Sequence, residues 1–118
     1  MATHNDTGKK GEELAKSFLI EKGYEILSSN YRYKKAEIDL IAKKENILAI
    51  IEVKTRTSID YGAPESFVNN KKIKLILEAT NAFVTAHDLD LNISLDIISV
   101  VIDKQVTIEH IENAYYFF

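Results

Sequence analysis

The chain contains no cysteine, only one proline and four glycines. Without cysteine there can be no disulfide framework, no thiolate metal site and no cysteine nucleophile, which fits a reducing cytoplasm. The three histidines, His4, His87 and His110, are scattered, so no histidine metal motif or triad is visible. No apolar run approaches the ~18–20 residues needed to span a bilayer. The opening stretch MATHNDTGKKGEELAK lacks the apolar core of a signal peptide. There is no internal repeat, linker or low-complexity segment. The expectation is a cytoplasmic protein with no membrane partner.

At 118 residues, 46% hydrophobic and 28% charged, the sequence suits one domain with one core. Residues 1–7 read as a flexible tail and residues 8–118 as a single domain. The net charge of −3 does not by itself suggest a nucleic-acid partner. The distribution is more informative: Arg32, Lys34 and Lys35, then Lys54 and Arg56, then Lys71, Lys72 and Lys74 form basic clusters. Many acids lie elsewhere, at Asp88, Asp90, Asp103, Glu109 and Glu112.

Gly11, Leu14, Ala15, Phe18 and Leu19 recur at helical spacing and predict a helix over 8–22, with Gly23 as its stop. Strands are predicted over 24–33, 36–43 and 47–56, the last two forming a hairpin around KKEN. The polar stretch TSIDYGAPES reads as a surface loop. A helix over 64–86 follows, with Pro64 in its first turn and Ile73, Ile76, Leu77, Thr80, Phe83 and Val84 inward. Two strands close the chain, at 93–102 and in QVTIEH, and the aromatic tail IENAYYFF is expected to pack back. Strands apolar on both faces need cover on both sides, which two helices supply in an α/β sandwich of order αβββαββ.

The hairpin EIDLIAKKENILAIIEVKTR carries charge where apolar residues would be more stable. Side chains alternate along a strand, so Glu52, Lys54 and Arg56 share a face, as do Glu37 and Asp39. A two-residue turn at Glu45-Asn46, or a four-residue turn pairing Lys43 with Leu48, sets Asp39 opposite Glu52 and Glu37 opposite Lys54. Like charges directly opposed are destabilising, and burial adds to the cost. A shared proton, a cationic side chain such as Lys54, or a metal ion would offset it. Mg²⁺ is commonly held by one or two carboxylates plus water and phosphate oxygens. Glu12, at the margin of the first helix's apolar stripe, is placed to look along the sheet. The competing reading is a charged strand end guarding a sheet edge, held by a Glu37–Lys54 pair.

An acid in one strand followed by Glu-x-Lys in the next resembles the PD-(D/E)xK nuclease superfamily. Within it the chain looks like the YraN-like family of small bacterial proteins. The matching residues are Gly8, Gly11, Glu12, Ala15, Gly23-Tyr24, Asn30, EIDLIA, EVKTR, Gly62, Pro64, Lys71, Asp96 and Asn113-Ala114. The sequence departs from the pattern at Ile38, Ala36 and Ser94-Leu95.

The resemblance implies a restriction-endonuclease-like three-layer sandwich, a mixed sheet of about five strands flanked by helices, similar to archaeal Holliday-junction resolvases. It implies Asp39 and Glu52 as Mg²⁺ ligands (Mn²⁺ as an alternative), joined by Glu12, with Lys54 as the catalytic lysine. The implied activity is hydrolysis of DNA phosphodiesters, with branched or junction DNA as a candidate substrate. Arg56, Lys71, Arg32 and Lys34 are the candidate contacts to nucleic acid, and a homodimer follows by analogy. The rival expectations are a catalytically silent DNA-binding module and a protein-interaction adaptor that docks through AYYFF.

Overall fold

The computed structural model describes residues 4–57 and 70–114. Among the described residues seven elements follow in the expected order: α1 His4–Glu21, β1 Glu25–Tyr33, β2 Ala36–Lys44, β3 Ile47–Arg56, α2 Asn70–Ala86, β4 Asn92–Ile102 and β5 Val106–Ile111. The strands form one sheet in sequence order. Among the described strands β3 and β4 alone run parallel, joined by a long connection that carries α2; the other neighbours are antiparallel. One apolar core lies under α1 (Ala15, Leu19, Leu40, Ala49, Ile51, Ile98) and another under α2 (Ile41, Leu48, Ile50, Ile76, Phe83). The result is a three-layer α/β sandwich, compatible with the restriction-endonuclease-like fold expected from the sequence. Among the described residues no helix is long and apolar enough to cross a membrane.

Both helices stop by the same device. Gly23 takes φ +96°, and the Tyr24 N–H donates back to the Leu19 carbonyl at 3.0 Å. After α2, Asp88 takes φ 51° and the Leu89 N–H donates to the Val84 carbonyl at 2.9 Å. In each case a left-handed residue beyond the helix lets the chain satisfy carbonyls the helix leaves open.

Some expectations shift. Helix α1 starts at His4 rather than Gly8, so residues 4–7 belong to its first turn. Helix α2 is described from Asn70; the expected start at Pro64, the loop before it and Gly62 lie outside the described residues, as does the tail from Tyr115. In α2, Ala79 is buried, while Leu77 is 47% exposed. Leu77 sits beyond the edge of a stripe centred on Ile73, Ile76, Thr80 and Phe83.

Two local features position the chemistry. The first is the approach of α1 to β3 at Gly11. A Cβ there would lie 1.8 Å from Thr55 Oγ1, so only glycine allows the helix this close. The second is a break in β2. Ala36 and Ile38 pack with Ile41 on the α2 side, whereas Leu40 and Ala42 pack under α1. Strict alternation would keep all four even-numbered residues on one side. The strand therefore changes face around Asp39. On β1, between the pairs Ser29–Leu40 and Tyr31–Ile38, Asn30 adopts φ 53°, a left-handed conformation that Asn tolerates.

Candidate functional site

The β2–β3 hairpin has the register expected from a two-residue turn. Lys44 pairs with Ile47, and the ladder continues in step to Leu40–Ile51. There it ends. Beyond it β2 stays paired with β1 as far as Ala36, and β3 stays paired with β4 as far as Arg56. The two strands thus part into a fork, with Asp39 and Glu52 as the first residues past the last pair. The cross-strand pairs expected at Asp39–Glu52 and Glu37–Lys54 do not form as ladder pairs. Glu37 instead meets Arg32 on β1 at 2.8 Å, and Lys54 Nζ turns back to Glu52 Oε1 at 3.1 Å.

Splitting a ladder leaves backbone donors to be satisfied. The Val53 N–H donates to Asp39 Oδ2 at 2.8 Å, so a side chain takes the place of the lost rung. This bond fixes the carboxylate at the crotch of the fork. A cavity of about 10 Å³ opens beside it, lined by Glu37, Ile38, Asp39, Glu52 and Ile76 among others. That is about the space one water needs.

The electrostatics of the two acids differ. Burial pushes the Asp39 carboxyl up to about 6 from 3.8; the Val53 N–H opposes the rise, and the charges of Glu12, Glu52 and Glu37 add to it. Glu52 moves the other way. Burial favours its neutral form, but the hydrogen bond from Lys72 and the charges of Lys54 and Lys72 outweigh it, so its pKa lies below the usual value. Lys72 Nζ donates to Glu52 Oε1, the same oxygen that Lys54 reaches.

The first-helix acid is brought in as well. With Gly11 seated on Thr55, Glu12 lies near enough for its charge to rank ahead of Glu52 and Glu37 among the carboxylates raising Asp39. The candidate site residues Glu12, Asp39, Glu52 and Lys54 therefore converge at one end of the sheet. Of the candidate nucleic-acid contacts, Arg56 Nη2 donates to Ser99 Oγ at 3.3 Å, and Arg32 is tied to Glu37. Lys34 lies over the Tyr33 ring at 5.4 Å, and Lys71 is exposed at the start of α2.

Among the described residues, no three His, Cys, Asp or Glu side chains close around one point. The fork offers an open pair of carboxylates rather than a cage. Such a set suits Mg²⁺, which keeps several waters and takes phosphate oxygens from its substrate. The crowding of acids that raises Asp39 is what a divalent cation would relieve. The donors fit.

A second carboxylate cluster emerges only from the structure. Asp96 on β4 is 1% exposed, and its Oδ2 lies 2.7 Å from His110 Nε2 on β5. Its Oδ1 accepts from Ser94 Oγ and, at 3.1 Å, from the Asn113 N–H. On the far side of the ring, Lys22 Nζ is 2.9 Å from His110 Nδ1. An ammonium can only donate, so Nδ1 is the acceptor and the ring proton sits on Nε2, facing Asp96. The available signals were an Asp within the apolar run ISLDIISVVI and a Ser two residues before it on the same face. The partner His110 carried no local signal.

The family model described as "Uncharacterised protein family UPF0102" matches residues 11–100. A UPF0102 protein of Flavobacterium psychrophilum is 56% identical over the whole of both chains. One of Christiangramia forsetii is 49% identical, again over both whole chains, and one of Phocaeicola vulgatus is 46% identical over 98% of this chain and 97% of its own. The YraN-like family expected from the sequence blocks is the one matched.

Proposed function

The chain belongs to the UPF0102 family, and we propose that its fork is the active site of a metal-dependent DNA nuclease of the PD-(D/E)xK type, related to Holliday-junction resolvases. The observation that carries this reading is the parting of β2 and β3 immediately before Asp39 and Glu52, which brings both acids to one small cavity that isoleucines, Glu37 and Asp96 also line. A fold that only needed a hairpin would gain by continuing the ladder and placing apolar residues there. Asp39, crowded by Glu12, Glu52 and Glu37, is strained in its charged form without a cation.

Asp39 and Glu52 would hold Mg²⁺ or Mn²⁺, with Glu12 joining through water. The bound cation would polarise a phosphoryl oxygen and make an attacking water more acidic. The protein's own contribution is positional. The Val53 N–H fixes Asp39, and the rigid β3–β4 pairing fixes Glu52 and Lys54 on one face. Lys54 lies where its ammonium can orient the water and stabilise charge developing on the phosphorus oxygens. Arg56, Lys71, Arg32 and Lys34 would carry backbone phosphates. A cytoplasmic homodimer acting on branched DNA completes the reading by analogy with the resolvases.

The test is a cleavage panel of linear, flapped and four-way DNA with Mg²⁺ or Mn²⁺. Wild-type protein is expected to cut at least one substrate, and Asp39→Ala and Glu52→Ala to lose that activity by about a thousandfold or more while keeping the wild-type circular dichroism. No cleavage on any substrate sinks the enzyme reading. Salt-dependent DNA binding that survives Asp39→Ala would then identify a silent DNA-binding module.

A further inference from the structure

We propose that Lys72 is the resident counter-cation of Glu52, displaced by a divalent metal and then released to a substrate phosphate. The inference rests on the metal-site reading above and concerns how that site is held before the metal arrives.

Two ammonium groups, from Lys54 and Lys72, converge on one oxygen of a largely buried carboxylate. Neutralising Glu52 alone needs only one of them. Together they place two positive charges where a divalent ion would place two. A metal entering the fork would meet both, so at least one has to withdraw.

The two lysines are not equivalent. Lys54 is two residues along the same strand and face as Glu52 and stays beside it whatever Glu52 binds. Lys72 comes from the first turn of α2, a different element, and is 38% exposed at its side chain, against 13% for Glu52. The neighbouring Ile73 and Ile76 are buried and hold the helix in register. The four-carbon stem of Lys72 can therefore swing its head outwards without any backbone movement. Lys71, the residue before it in the same helical turn, is exposed, so a displaced Lys72 ammonium would add to the positive charge at this end of α2, where a phosphodiester could be held. Metal binding and phosphate binding are thereby coupled through one side chain.

The experiment measures Mn²⁺ binding to the full chain by calorimetry for wild type, Lys72→Met and Lys72→Gln. A second arm measures the salt dependence of binding to a DNA duplex, with and without Ca²⁺. Both variants are expected to bind Mn²⁺ roughly two- to fivefold more tightly, the worth of a partly exposed ion pair. In Ca²⁺ the slope of log affinity against log salt should be shallower by about one in Lys72→Met than in wild type; without metal the two slopes should agree. Wild type that binds Mn²⁺ no more weakly than both variants overturns the proposal and leaves the metal site standing. Mn²⁺ binding by none of the three proteins removes the metal site and this proposal together. Binding that appears only in the variants supports displacement in its strongest form. Equal slopes in Ca²⁺ overturn the transfer to phosphate.

Discussion

Asp39 and Asp96 lie two strands apart in the same sheet, and the protein treats them in opposite ways. Asp96 is enclosed by donors: a serine hydroxyl, a backbone N–H and an imidazole N–H whose far side is held by a lysine. Asp39 has one backbone N–H, and its neighbours Glu12, Glu52 and Glu37 repel it. Burial alone does not distinguish a structural carboxylate from a functional one. The company it keeps differs: the acceptors of Asp96 are filled from within, whereas Asp39 is crowded by like charges, which is the strain that the proposed cation would relieve.

The largest test of this contrast is to remove each acid in turn. Asp96→Ala strips the buried His110 of its carboxylate partner and leaves Ser94 Oγ and the Asn113 N–H without their acceptor, and should cost ~2–4 kcal/mol in urea unfolding. Asp39→Ala should cost far less, since the repulsion it relieves offsets the loss of the Val53 N–H bond. Equal losses at the two sites would erase the distinction.

The pH dependence sharpens the contrast with a sign. In the folded chain Asp39 takes up its proton near pH 6; unfolded, it does so near 3.8. The folded state binds that proton first, so this group makes the protein more stable as pH falls from about 7 towards 4, by up to ~2–3 kcal/mol. Glu52, whose pKa is lowered, contributes stability above its ordinary value of 4.5 and loses it only below that, so it does not act in the same window. Asp39→Asn should flatten the rise, as should saturating Mg²⁺, which favours the ionised acid. Thermal unfolding between pH 4.5 and 7.5 with and without the substitution reads this out; a wild-type curve that falls with acid over this range contradicts the account.

The smallest effect tests whether α1 belongs to the fork. Gly11→Ala puts a methyl group into Thr55 and should lift the helix from β3, costing ~1–3 kcal/mol. If Glu12 matters to the fork, this substitution should also lower the pKa of Asp39 in an NMR titration, because a raising charge has moved away. Lost stability with an unmoved titration would confine Gly11 to packing.

Much of this was legible in the sequence. The hairpin register followed from turn length, the helix stop from Gly23, and the shared face of Glu52 and Lys54 from the period of a strand, whereas the direct Asp39–Glu52 and Glu37–Lys54 pairs expected from the same rules did not form. These rules act over a few residues, so neighbours in the chain suffice to apply them. Other features escaped. The change of face at Asp39 lies opposite a left-handed Asn30 in another strand and between cores beneath two different helices.

The sequence by itself determined the order of elements, the acids and lysine of the hairpin, and the family to which the chain belongs. Only the tertiary structure decided that the ladder would open at Leu40–Ile51, that Lys72 would reach Glu52 from 20 residues away, and that His110 would close on Asp96 across 14. The reason is physical. Turns, caps and alternation are set by local backbone sterics, whereas the charge that faces a buried carboxylate is set by how whole elements pack.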